Sequence, residues 1–212
     1  MKLFYRICAL LLAFVAALSL LTACKEKDEN ADTEEPETYS GMPEYDVENI
    51  AEYIEPFEYT GLNISVGETE YESEVVWNTM LRSANIIKYP APQVEYYAEQ
   101  ERAKYRYYAS RENIEYGTLL ESLGVTEESI YETARRYVKD DLVLAYIVTD
   151  ANISLTDDEK TRLTYKYAEK LTEVYGYDAE YIMENMTEQV YYAMLYDKTI
   201  EYLMANNIIN VA

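Results

Sequence analysis

From residue 68 to about residue 205, apolar side chains recur every three or four positions, which is the spacing of a helix with one buried face. The pattern predicts six helices, at about residues 68–84, 93–110, 115–123, 127–151, 157–175 and 178–205. The stretch 142–148 is apolar all round, which is typical of a helix packed among others. Residues 59–66 alternate weakly and predict one short strand. Because the loops between the helices are short, we expect a mainly α, multi-helix fold with antiparallel neighbours.

Residues that begin or end helices separate these segments. Proline can open a helix but cannot continue one, so residues 89–92 (Tyr-Pro-Ala-Pro) mark the start of the second helix. Gly124 is suited to a left-handed helix cap, and Thr126 and Asp178 are suited to N-caps. Residues 156–159 (Thr-Asp-Asp-Glu) form the pattern of a capping box, in which Thr and Glu each satisfy a backbone N–H of the other.

The first 24 residues have the organisation of a bacterial export signal. Two basic residues precede an apolar run of 15 residues, 7–21, which is shorter than the roughly 20 needed to span a bilayer. The run leads into Leu21-Thr22-Ala23-Cys24, which resembles the lipobox of bacterial lipoproteins. The resemblance implies removal of residues 1–23, attachment of diacylglycerol to Cys24, and a location on the extracytoplasmic face of a bacterial cell membrane. The alternative is an ordinary signal peptide or a short anchor helix, with Cys24 incidental.

The segment after the signal is strongly acidic and poor in apolar side chains. Residues 25–58 contain 13 Asp and Glu against two Lys. Such chains repel themselves and stay extended, so we expect a disordered tether over 24–58 that holds a helical domain, 59–212, away from the membrane. A calcium-binding stretch is the alternative, but the alternating Asp or Asn with Gly of a calcium loop is missing.

The composition excludes several kinds of function. The chain has 212 residues, a formal net charge of −22 and no His. The charge would repel nucleic-acid backbones and anionic membrane surfaces, so the predicted membrane contact is the lipid anchor alone. Without His, Ser-His-Asp catalysis, Cys-His catalysis and His-ligated zinc are excluded. Cys8 and Cys24 leave no thiol after processing, and we predict no catalytic residue, no metal site and no cofactor other than the covalent lipid.

Three pairs of adjacent acids are candidates for acid–base chemistry: Glu127-Glu128, Asp140-Asp141 and Asp157-Asp158. Neighbours on a helix point about 100° apart, so such pairs do not converge by themselves. We interpret the first and third pairs as solvated acids in first helical turns, where negative charge is favoured. We interpret Asp140-Asp141 as part of the polar face of the long helix.

Tyrosine is the unusual residue, since it occurs 25 times against three Phe and one Trp. Tyr137, Tyr146 and Tyr167 occupy stripe positions and are expected in the core. Adjacent tyrosines on a helix cannot both face one core, so at least one of each pair should be exposed or lie in a groove. The candidate peptide-contact residues are therefore Tyr96, Tyr97, Tyr107, Tyr108, Tyr191 and Tyr192. The alternative is a compositional bias in which Tyr replaces Phe and Leu throughout a small core.

The order of elements from Tyr89 to Ile209 resembles the C-terminal chaperone domain of bacterial trigger factor, which is related to the peptide-binding helical domain of SurA-like periplasmic chaperones. Four stretches carry the likeness: 89–95, 119–128, 134–144 and 153–159. A smaller match at 59–62, Tyr-Thr-Gly-Leu, precedes them. The resemblance covers about 120 residues of the chain and implies a helical domain with arms.

The departures from that family narrow the expected function. Residues 67–88 are too few for a prolyl-isomerase domain, which would need about 50 or more, and no ribosome-docking segment is present. We therefore expect a chaperone-like protein that binds unfolded or nascent secreted polypeptides without catalysis. The first alternative is a non-chaperone cell-surface lipoprotein, either a subunit of an envelope assembly or a ligand-binding module. The second is a foldase associated with peptidyl-prolyl isomerase activity, by family association only.

Overall fold

The structure is a computed structural model and describes residues 47–175 and 177–211. It is mainly helical, as the sequence predicts. A 3-10 helix spans Val47–Glu52, and two short strands span Asn63–Val66 (β1) and Ile208–Val211 (β2). The α-helices are α1 (Glu72–Ser83), α2 (Ala91–Glu112), α3 (Tyr116–Leu123), α4 (Glu127–Asp150), α5 (Asp157–Tyr175), α6 (Ala179–Asn185) and α7 (Thr187–Ala205). The predicted signal peptide, Cys24 and the tether up to residue 46 lie outside the described residues.

The described residues divide into two compact units, whereas the sequence predicts a single domain over 59–212. The large unit comprises 47–88, 139–175 and 177–211, and the small unit comprises 89–138. The division falls within α4, between Val138 and Lys139.

The core of the large unit is built from the predicted apolar stripes. In the second half of α4, the buried side chains are Leu142, Val143, Leu144 and Ile147. The stripe expected over 178–205 is also buried throughout, at Ile182, Met186, Val190, Ala193, Ile200 and Leu203. The capping box at residues 156–159 is formed, with Thr156 N–H donating to Glu159 Oε2 (2.7 Å) and Glu159 N–H to Thr156 Oγ1 (3.2 Å).

The last predicted helix is in fact two helices, so that prediction is wrong in its continuity. Met186 has φ −133° and ψ 25°, which ends α6 and begins α7. Asn185 precedes the break and donates its side-chain N–H to Tyr181 O, the kind of local bond that competes with helical pairing. Because Ile182, Met186 and Val190 are buried on both sides of the break, the apolar spacing gives no sign of it.

Residues 47–58 fall within the predicted tether but have defined structure. Ile54 is completely buried and forms an antiparallel bridge with Ile86. The backbone bonds beside this bridge are Glu55 N–H to Asn85 O (3.0 Å) and Ile87 N–H to Tyr53 O (2.8 Å). The high acid content led to the prediction of a tether, because the buried residues Ile50 and Ile54 stand among the exposed residues Ala51, Glu52 and Glu55.

β1 and β2 form a two-stranded parallel sheet, in which Asn63 lies opposite Ile208 and Val66 opposite Val211. β1 is the strand expected near 59–66, and β2 was not predicted. Asn207 fixes the entry to β2, because its side-chain amide donates to Tyr59 O (2.9 Å) and accepts from Leu62 N–H (2.8 Å). Ile64 and Val66 are buried, so β1 forms part of the core.

Both caps expected at the α3–α4 junction of the small unit are present. Gly124 has φ 65°, in the left-handed region that favours glycine, and its N–H bonds to Glu121 O. Thr126 Oγ1 accepts from Ser129 N–H (3.1 Å). α2 ends in the same way with Asn113 in the left-handed conformation, which Asn tolerates better than most side chains.

Candidate functional site

The six tyrosines predicted as peptide contacts lie in different units. Tyr96, Tyr97, Tyr107 and Tyr108 are on α2 in the small unit, and the pair 191–192 is on α7 in the large unit. The structure therefore brings four of the six together on one helix.

The first half of α2 uses its tyrosine pair for packing. Tyr96 is buried, and Tyr97 is half-buried with its ring centroid 5.2 Å from that of Tyr96 and 5.4 Å from that of Tyr137. The hydroxyl of Tyr137 donates to the buried Glu101 (3.2 Å), and burial together with this carboxylate raises the pKa of Tyr137 well above its usual value. This pair is a structural element, and neither of its members is exposed.

Arg102 is the shared hydrogen-bond donor of several acids near this tyrosine pair. Its guanidinium donates to Glu95 (2.8 Å), Glu99 (3.2 Å) and Glu127 (2.9 Å), and lies over the ring of Tyr131 (5.3 Å to the centroid). The hydroxyl of Tyr131 donates to Glu95 (2.6 Å), and this bond and Arg102 hold the pKa of that carboxyl below its usual value. Three acids from two helices thus share one cation.

The second half of α2, together with α3, is more exposed than the first half of α2. We call residues 103–123 the tyrosine arm. Ala109 and Leu119 are the buried residues of this segment, and every other side chain in it is at least partly exposed. The arm carries four tyrosines, Tyr105, Tyr107, Tyr108 and Tyr116, none of which is buried.

The exposed part of the arm is both apolar and aromatic. Tyr108 is 46% exposed, and its ring centroid lies 5.8 Å from that of the half-buried Tyr107. Ile114 and Leu123 are also exposed. At least one member of each adjacent pair was expected to be exposed or to lie in a groove, and in this pair Tyr108 is exposed.

At the base of α3, polar contacts position the arm without covering it. Glu115 caps α3 by accepting from Thr118 N–H (2.9 Å), and the guanidinium of Arg106 lies 5.8 Å from the ring centroid of Tyr116. The hydroxyl of Tyr116 is buried and has no hydrogen-bond partner among the described residues. Burial raises the pKa of Tyr116, which keeps the phenol neutral.

The tyrosine pair on α7 is partly buried and tied to charged groups. The hydroxyl of Tyr192 donates to Asp141 (2.6 Å), and Lys160 lies 5.4 Å from the ring centroid of Tyr191. Asp141 is 5% exposed, and its neighbour Asp140 accepts from the indole N–H of Trp77 (2.9 Å). The interpretation of this acid pair as polar face is therefore wrong, because both carboxylates accept hydrogen bonds from aromatic side chains of other helices.

Tyrosine–carboxylate pairing is a general feature that the sequence analysis missed. At least five tyrosine hydroxyls in the described residues donate to Asp or Glu. The pairs are Tyr59–Asp150 (2.5 Å), Tyr131–Glu95 (2.6 Å), Tyr137–Glu101 (3.2 Å), Tyr167–Asp197 (2.5 Å) and Tyr192–Asp141 (2.6 Å). The joint excess of Tyr and of acid in the composition was the available signal, since a half-buried phenol needs an acceptor.

Of the predicted core tyrosines, Tyr167 is buried, and Tyr137 and Tyr146 are half-buried. The ring of Tyr146 packs against Phe57 (5.0 Å between centroids) and edge-on against Tyr59 (6.2 Å). These residues belong to the fold and are not candidates for contact with a partner.

Within residues 47–175 and 177–211, no group of three or more acids is arranged to hold a metal ion. No helix of the same residues combines the length and apolar character needed to cross a lipid bilayer. No known protein family, no curated protein and no solved structure matches this chain.

Proposed function

We propose that the protein is a membrane-anchored, extracytoplasmic chaperone-like protein that binds unfolded or partly folded secreted chains without catalysis. The observation that carries this proposal is the tyrosine arm. Across its 21 residues, 103–123, only two side chains are buried, while Tyr108, Ile114 and Leu123 are exposed. The resemblance of the sequence from Tyr89 to Ile209 to the trigger factor chaperone domain also favours this function.

The chemistry of the arm suits partners without a fixed structure. A tyrosine ring offers a large contact area for the loss of few rotatable bonds, and its hydroxyl tolerates water when no partner is bound. Arg106, between Tyr105 and Tyr107, is paired with Glu99, whereas Arg111 lies exposed on the same helix, so the arm can also contact acidic side chains of an unfolded chain. Because no single side chain dominates, binding is expected to be weak at each contact and tolerant of sequence.

Aggregation of an unfolded client measures this activity. The full chain in detergent micelles should suppress light scattering by a chemically unfolded client in a dose-dependent way. The triple variant Tyr107→Ser/Tyr108→Ser/Ile114→Ser should lose most of this effect. Tyr165→Ser is the matched control, because Tyr165 is 56% exposed but lies on α5 in the large unit.

Equal suppression by the triple variant and the wild type would show that the arm is not the binding surface. No suppression by the wild type at several-fold molar excess would overturn the chaperone proposal. A single saturable partner in a pull-down, with no affinity for unfolded chains, would instead support the alternative of an envelope-assembly subunit or a ligand-binding module.

The proposed anchor has a separate test. If Cys24 carries diacylglycerol, metabolic labelling with a fatty-acid analogue should mark the protein, and two or more acyl chains hold a protein firmly on a bilayer. Cys24→Ala should abolish the label and leave the export signal uncleaved at this site. An unchanged label in this variant would contradict the proposal.

A further inference from the structure

The free edge of β2 is the second surface of interest, and it lies in the large unit. Among the described residues the sheet has two strands, so β2 has a strand neighbour on one edge alone. Two-stranded sheets are marginally stable on their own, and parallel sheets are normally buried on both faces. Here β2 is largely at the surface, with Ile208 56% and Val211 62% exposed.

The backbone of β2 is oriented to accept another strand. Ile208 N–H donates to Leu62 O (2.9 Å), so Ile208 uses its backbone groups toward β1. Because successive residues of a strand direct their N–H and C=O groups to opposite edges, Ile209 and Val211 present theirs to the free edge. In register, Ile209 and Val211 lie beside Ile64 and Val66, so an added strand would extend the apolar face of β1.

The charges of the segments next to the two strands favour a basic occupant. Segments 56–75 and 199–211 contain six acids, of which five are exposed: Glu58, Glu68, Glu70, Glu72 and Glu201. Neither 56–75 nor 199–211 contains a Lys or Arg. An added strand with apolar residues on one face and basic residues on the other therefore gains both burial and electrostatic attraction.

Two other occupants fit this environment less well. A second copy of the chain would bring its own net charge of −22 to the same acidic edge. The chain's own segment 24–46 holds nine acidic side chains against two basic ones. Both would be repelled where a basic segment is attracted.

We propose that the free edge of β2 binds an extended, basic and apolar polypeptide segment by adding it as a third strand. This site is separate from the tyrosine arm and stands whether or not the arm binds unfolded clients. Main-chain hydrogen bonds to Ile209 and Val211 give the affinity, and the acids in the segments next to the two strands give the preference for basic side chains.

The probe is a seven-residue peptide of alternating Val and Lys, titrated against the full chain in detergent micelles. Wild-type protein should bind it and show slower hydrogen exchange at the Ile209 and Val211 amides. A peptide of alternating Val and Glu should not bind. The Val/Lys peptide with N-methyl groups on alternate amides should bind at least about tenfold more weakly, as expected when a main-chain hydrogen bond is lost.

Ile209→Pro tests the protein side of the same bonds, because proline removes an outward N–H and is tolerated at strand edges. It should weaken binding of the Val/Lys peptide about tenfold. Ile209→Ala keeps the N–H and should retain most of the affinity, and circular dichroism checks that both variants are folded. If the proline variant does not fold, the N-methylated peptide on wild-type protein gives the answer alone.

Equal binding of the methylated and unmethylated peptides would overturn strand addition. Equal binding of the Val/Glu and Val/Lys peptides would overturn the basic partner. Slow hydrogen exchange of the Ile209 amide before any peptide is added would overturn the proposal, because the edge would already be occupied.

If the protein then sediments as a dimer, a second copy occupies the edge. If it sediments as a monomer, the chain's own segment occupies the edge. Loss of client binding by the arm variant with unchanged peptide binding would show that the two sites are independent.

Discussion

In the large unit, 24 of the 114 described residues are buried apolar side chains, against eight of 50 in the small unit. The distribution of ion pairs is the reverse, since five of the eight found in the described residues belong to the small unit. Buried apolar side chains and hydrogen-bonded tyrosines contribute to both units, and the small unit adds a cation shared by three acids and a higher density of ion pairs. A unit held in this way does not need its remaining aromatic side chains for a core, and those side chains stay available on the tyrosine arm.

Removing a buried apolar side chain from the large unit should have the largest effect. Ile54→Ala should lower the free energy of unfolding by about 2–4 kcal/mol, because it leaves a cavity at a completely buried site. Ile87→Ala is the matched control, since Ile87 is 53% exposed, and it should change the stability little. Urea denaturation followed by circular dichroism measures both variants.

This pair also tests whether residues 47–58 contribute to the fold. An equal and small effect of the two substitutions would mean that the segment containing Ile54 does not stabilise the large unit. Burial of Ile54 would then contribute nothing to the stability of the large unit.

In the small unit, the corresponding test removes a charge. Arg102→Met keeps an apolar side chain of similar length but leaves Glu95, Glu99 and Glu127 without their shared cation. The side chain of Arg102 is largely buried but its acids are partly exposed, so we expect a loss of about 1–3 kcal/mol, between surface and buried ion pairs.

Hydrogen exchange locates this effect. Amides of residues 89–138 should exchange faster in Arg102→Met, and amides of 177–211 should not change. Arg111→Met is the control, because Arg111 lies exposed on the same helix. Faster exchange in both units would show that they unfold together, so that the difference in their interactions has no consequence for local stability.

The sequence predicts interactions between neighbouring residues better than it predicts pairing between distant segments. Apolar spacing is a local property, so the helices and the buried stripe from Ile182 to Leu203 were predicted from the residues alone. Capping is local as well, which is why Thr156, Glu159 and Gly124 have the predicted roles.

The rest depends on pairing between distant segments, which one sequence does not reveal. β2 is a strand because it pairs with β1, where Ile208 N–H donates to Leu62 O, and these two residues are 146 positions apart in the chain. Asp141 is buried because Tyr192 supplies a donor from another helix, and local spacing had assigned it to a polar face. The tyrosine arm was predicted in part: adjacency indicated that Tyr107 or Tyr108 would be exposed, but not that Tyr96 would be buried.

Tyrosine–carboxylate pairing occurs in both units and predicts a loss of stability at alkaline pH. Burial and the neighbouring carboxylates raise the pKa values of Tyr59, Tyr137 and Tyr167 in the folded protein. The folded state therefore favours the neutral phenol. Its contribution is fully present below the unfolded pKa of about 10 and is lost progressively as the pH rises above that value. Absorbance at 295 nm should show these tyrosines ionising together with unfolding.

Tyr167→Phe separates this effect from general alkaline unfolding. It removes the hydrogen bond to Asp197, so stability at pH 7 should fall by about 1–2 kcal/mol, and the decrease above pH 10 should become shallower. Tyr165→Phe, two residues away on the same helix and exposed, should change neither quantity. A Tyr167→Phe variant with the wild-type pH profile would show that this pairing does not contribute to the alkaline transition.

The smallest expected effect concerns a charged group of the large unit, where apolar burial dominates. Lys198 and the capping box with Thr156 lower the pKa of Glu159 to about 2. A lowered pKa favours the carboxylate in the folded state, so its contribution is present above the unfolded pKa of about 4.5 and is lost as the pH falls toward 2. Glu159→Gln should therefore flatten the dependence of the unfolding temperature on pH between about 4.5 and 2. Glu169→Gln, at an exposed position on the same helix, should leave that dependence unchanged. If Glu159→Gln lowered the free energy of unfolding at neutral pH as much as Arg102→Met does, single charges would stabilise both units equally. The large unit would then depend on charge as much as the small unit does.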